Sequence, residues 1–85
     1  MTLSINIVNQ LAQNLSTQNL QILDLSQQNL KVIQNLTPLS NRQIQLKKLY
    51  LNQNQIYKLQ FCPLFFLELL DLSHNNLTEI TCQFP

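Results

Sequence analysis

One phrase returns along the chain: leucine, two residues, leucine, one residue, leucine, two residues, asparagine. It is cleanest at Leu67, Leu70, Leu72 and Asn75, running on into Leu77 and Ile80. It stands again at Leu46, Leu49, Leu51 and Asn54, running on into Ile56 and Leu59. A third copy reads Leu20, Leu23, Leu25, then Gln28 where asparagine is due, then Leu30, Ile33, Leu36 and Leu39. Self-similarity at a period in the low twenties predicts a solenoid, because no such unit buries its leucines without a neighbour. The function such an array predicts is binding.

Eighty-five residues suit one domain near the lower end of what a single core stabilises. Charged residues make up only 11% and the net charge is +1, so no long-range field favours nucleic acid or an acidic membrane. No apolar run reaches the length of a transmembrane helix. The first fifteen residues show no basic start followed by an apolar block, so the expected location is cytoplasmic, unless these residues were cut from a longer precursor. There is no glycine, which predicts that tight turns lean on asparagine, the side chain most tolerant of positive φ.

With the first leucine of each phrase as position one, positions one, four and six point inward from an extended segment. The amide at position nine then pairs with backbone groups that the bend leaves open. Stacked copies predict a ladder of such amides. Counting back 22 residues from Leu20 puts Met1, Leu3, Asn6, Val8 and Leu11 on inward positions and extends the ladder to Asn6, Gln28, Asn54 and Asn75. A competing reading makes Val8, Leu11 and Leu15 one face of a short helix; the repeat reading is preferred here. The whole chain, 1–85, is then one array: a degraded partial repeat at 1–19, repeats at 20–45 and 46–66, and an incomplete one at 67–85. The surplus residues Ser40-Asn41-Arg42-Gln43, with Pro38 and Pro63, belong to connections.

The stretches LYLNQNQI and LDLSHNNLTEI closely resemble the consensus of the leucine-rich repeat family, and nearly the whole chain is covered. The spacing is similar to that of its short, intracellular type. That resemblance implies an α/β-type solenoid: a right-handed coil with a short-stranded parallel sheet on the concave side and a 3₁₀ or irregular convex side. It also implies a non-catalytic scaffold that binds a protein or peptide.

Positions three, five and seven project from such a concave sheet. They read Ile22, Asp24 and Ser26, then Lys48, Tyr50 and Asn52, then Leu69, Asp71 and Ser73, with Thr2 and Ser4 at positions five and seven of the partial copy. A tyrosine between two carboxylates beside exposed aliphatics is a candidate peptide-docking patch; a solvated sheet face is the plainer alternative.

Catalysis finds little support. His74 is the sole histidine, Asp71 its only near acid, and the acids lack metal-ligand spacing, so neither cofactor nor metal is expected. Cys62 and Cys82, at positions seventeen and sixteen of successive copies, are placed for a disulfide or as small buried fillers; in the absence of a signal sequence the free-thiol reading is preferred. The triplets at Asn14, Asn35 and Asn76 read as unused glycosylation sites. Phe65 fits a core position, while Phe61 and Phe66 are candidates for an exposed pair. Neither end carries a polar capping unit, so further repeats or self-association are expected to cover the ends. A fragment of an extracellular recognition receptor is the alternative function; an enzymatic reading needs an appended domain, and a vestigial array needs no partner.

Overall fold

The structure is a computed structural model, and it describes residues 2–18, 20–39, 44–60 and 66–80. In chain order it runs β1 (Thr2–Leu3), α1 (Ile5–Gln18), β2 (Ile22–Asp24), β3 (Val32–Ile33), a 3₁₀ helix (Thr37–Leu39), β4 (Lys48–Tyr50), β5 (Lys58–Leu59), β6 (Leu69–Asp71) and β7 (Glu79–Ile80). The strands form two parallel sheets, one in the order β2-β4-β6 and one in the order β1-β3-β5-β7. Each leucine phrase contributes one strand to each sheet, and the chain alternates between them.

The register follows the phrase. Leu23 pairs with Leu49 and Leu49 with Leu70, so position four stays in line through three copies. In the second sheet Ile33 pairs with Leu59 and Leu59 with Ile80, all at position fourteen. Between the sheets lies one apolar core in which Leu30, Ile33, Leu36, Leu46, Leu49, Leu51, Ile56 and Leu59 are buried. Each such side chain contributes about 1.5–3 kcal/mol relative to its exposed state. Lys48 and Tyr50, on either side of buried Leu49, are half-exposed, as alternation along a strand requires.

The first nineteen residues do not follow the register counted back from Leu20. Thr2 and Leu3 pair with Val32 and Ile33, which places Leu3 at position fourteen and not six. Thr2 therefore lies in the second sheet, not in line with Asp24, and Ser4 precedes a helix. The helix reading of Val8, Leu11 and Leu15 is the correct one. Val8, Ala12 and Leu15 fall on one face of α1 and are buried, with Leu11 half-buried beside them. The Ser4 carbonyl accepts the first helical bond, from the Val8 N–H at 3.0 Å. Leu20 N–H closes the far end onto the Leu15 carbonyl at 2.9 Å, the six-to-one bond of a common helix stop. Asn6 is exposed on α1 and takes no part in an amide ladder. A helix rises only about 1.5 Å per residue, so this connection uses more chain than an extended one. That is why β1 and β3 stand 30 residues apart, against 26 and 21 for the later pairs.

Two further expectations need correction. The side away from the first sheet is not merely 3₁₀ or irregular; it holds a second ladder of two-residue strands and α1. The turns do not lean on asparagine alone either. Positive φ is found at Gln27 (56°), Asn29 (57°), Gln45 (47°), Gln53 (57°) and His74 (58°). Gln27, Gln53 and His74 all stand at position eight, just beyond each strand of the three-stranded sheet. The bend recurs because the backbone must turn there to reach the core again, whatever residue occupies it. Cys62, Cys82, Phe61, Phe65, Met1, the 40–43 insertion and the final five residues lie outside the described residues.

Candidate protein-binding face

The outer face of the three-stranded sheet gathers the predicted docking residues. Strand pairing sets Ile22, Lys48 and Leu69 in one row and Asp24, Tyr50 and Asp71 in the next. Neighbours in a row are roughly 4.8 Å apart. Ile22 is 53% exposed and Leu69 40%, while Lys48, Tyr50 and Asp71 are partly covered. Ser26, Asn52 and Ser73 follow at the strand ends.

The two aspartates are held in place locally. Asp24 Oδ1 accepts the Ser26 hydroxyl at 2.7 Å and the Ser26 N–H at 2.9 Å. Asp71 Oδ1 accepts the Ser73 hydroxyl at 2.7 Å and the Ser73 N–H at 3.0 Å. These bonds favour the ionised form, so both carboxylates lie below their ordinary range, the hydroxyl contributing most and the N–H next. The His74 charge adds a smaller lowering at Asp71. Both carboxylates thus stay charged and fixed on the strands that flank Tyr50. Sequence reading missed this, although the Asp-Leu-Ser triplet, present twice at the same positions, was a visible signal.

Behind the face, position nine joins the repeats. Asn54 Oδ1 accepts the N–H groups of Gln28 (2.8 Å) and Leu30 (3.1 Å) in the preceding repeat. Its Nδ2 donates to the carbonyls of Leu25 and Leu51, both at 3.0 Å. Asn75 repeats the pattern one step on, accepting from Ile56 N–H at 2.9 Å and donating to Leu51 and Leu72. Gln28 sits at the same position in the first copy but does not act as a rung. It is exposed, and its Nε2 reaches only the Ser26 carbonyl. The extra methylene swings its amide away from the bend, and β2 is the first strand of its sheet. On the exposed rim the side chains of Gln27 and Gln53 hydrogen-bond to each other. No buried side-chain nitrogen or oxygen among the described residues is left without a partner.

Residues 66–85 match the family model described as Leucine Rich Repeat. Residues 66–85 thus read as a leucine-rich repeat. The matched segment contains β6, β7 and the Asn75 rung, and Leu46 to Leu59 present the same pattern one repeat earlier. Leucine-rich repeats generally mediate protein–protein interaction and are typically non-enzymatic. No curated protein and no solved structure gives a significant match to the chain.

Elsewhere, a shallow cleft of about 310 Å³ lies between α1 and the 3₁₀ helix, lined by Asn9, Gln13, Ser16 and Thr17 against Pro38 and Ile44. Thr17 Oγ1 is already bonded to the Gln13 carbonyl at 2.8 Å. Among the described residues no three His, Cys, Asp or Glu side chains cluster as metal ligands, and no helix is long and apolar enough to cross a membrane. Of the glycosylation triplets, Asn14 is exposed on α1, Asn35 Oδ1 accepts the Thr37 N–H at 2.9 Å, and Asn76 is exposed beyond β6.

Proposed function

We propose that the chain is a short solenoid whose three-stranded sheet lines a concave, non-catalytic binding surface for an extended protein or peptide segment. The observation that carries this reading is the Asp24–Tyr50–Asp71 row. An aromatic ring stands between two carboxylates that Ser26 and Ser73 hold oriented and charged. Such a row suits a cationic side chain laid across the ring, where cation–π attraction of about 0.5–2 kcal/mol adds to the charge contacts. The adjacent row supplies Ile22 and Leu69 for apolar side chains of the same ligand, with Lys48 between them. Alternate ligand residues then meet alternate rows.

Panning a displayed random-peptide library against the chain tests the reading. Enriched peptides should pair Lys or Arg with aliphatic residues at alternating spacing. Tyr50→Ala should keep the far-ultraviolet circular dichroism spectrum and lose these peptides. Enrichment that survives Tyr50→Ala and the double change Asp24→Asn, Asp71→Asn would remove the row from any role in recognition.

A further inference from the structure

We draw no further inference here: the strongest candidate, the shallow cleft between α1 and the 3₁₀ helix, is lined by exposed Asn9, Gln13, Ser16 and Thr17 with no charged group among them, and nothing in the structure shows what would fill it.

Discussion

Replacing Asn54 with alanine removes the amide that ties the first leucine phrase to the second. Two N–H groups lose their acceptor, and three carbonyls lose a donor. The losses are unequal. The Leu30 N–H is buried, so its desolvation is left uncompensated, at about 1–3 kcal/mol. Gln28 is exposed, and water replaces much of what its N–H loses. Allowing a smaller share for the carbonyls, the total is about 2–4 kcal/mol. A domain of this size is stable by only about 4–13 kcal/mol, so the change should be plain. Asn75→Ala strips a similar set of bonds at a half-buried site open to water, and about 1–2 kcal/mol is expected there. Urea titrations followed by circular dichroism and by tyrosine fluorescence, which Tyr50 and Tyr57 provide, should rank Asn54→Ala well above Asn75→Ala. Equal costs, or an Asn54 cost below about 1 kcal/mol, would refute the claim that burial of the bonded groups sets the penalty. Asn54→Asp supplies a second arm. Its carboxylate would face the Leu25 and Leu51 carbonyls, so its folded pKa must rise above the unfolded value of about 3.9. The variant should therefore recover stability as the pH falls and lose it as the pH climbs above about 4.

Leu51→Ala, at the centre of the core, should cost about 2–5 kcal/mol, and Leu72→Ala clearly less because its site is already half open, as paired urea midpoints will show. Asp24 and Asp71 have depressed folded pKa values, so their stabilisation is present above the unfolded value of about 3.9 and lost as pH falls through the lower folded values; Ser26→Ala and Ser73→Ala should raise the carboxylate titration midpoints seen by NMR. Gln28→Asn should add about 0.5–1 kcal/mol by shortening the amide to reach the Leu25 carbonyl, as Asn54 reaches Leu51; a lower urea midpoint would show that the longer side chain is required there. His74→Gly should stabilise by about 0.5–1 kcal/mol, because a residue with φ of 58° then loses its Cβ clash; a decrease would mean that the imidazole holds the bend.

Much of this fold was legible where the leucine phrase is strict. From Leu46 to Leu59 every inward assignment coincides with a buried side chain, because a period fixed by stacking tolerates no slip. The first segment misled because Leu3 is inward in either register. An apolar residue beside a polar one fits position six as well as fourteen, and only the strand partner Ile33 decides between them. The helical spacing of Val8, Leu11 and Leu15 was the better signal. The second sheet was not legible, since strands of two residues such as Lys58–Leu59 leave no alternation to read. Position eight was hidden for a different reason. Glutamine and histidine have no intrinsic liking for positive φ, and the hydrogen-bonded neighbours on each side impose it on Gln27, Gln53 and His74. The candidate face was legible as a set of rows, but the serine clamps on its aspartates were not, because a hydroxyl two residues on can equally face water until its rotamer is seen to point at the carboxylate.

The double ladder has a mechanical consequence. Every strand of the β2-β4-β6 and β1-β3-β5-β7 ribbons bonds only to the phrase before it and the phrase after it. Heat or a pulling force will then fray the molecule from its last phrase inward, as a zipper opens, with Ile80 and Leu77 released before Leu51 is disturbed. Whatever grips β6 and β7 would act as the zipper's stop, and hold the entire row of teeth closed behind it.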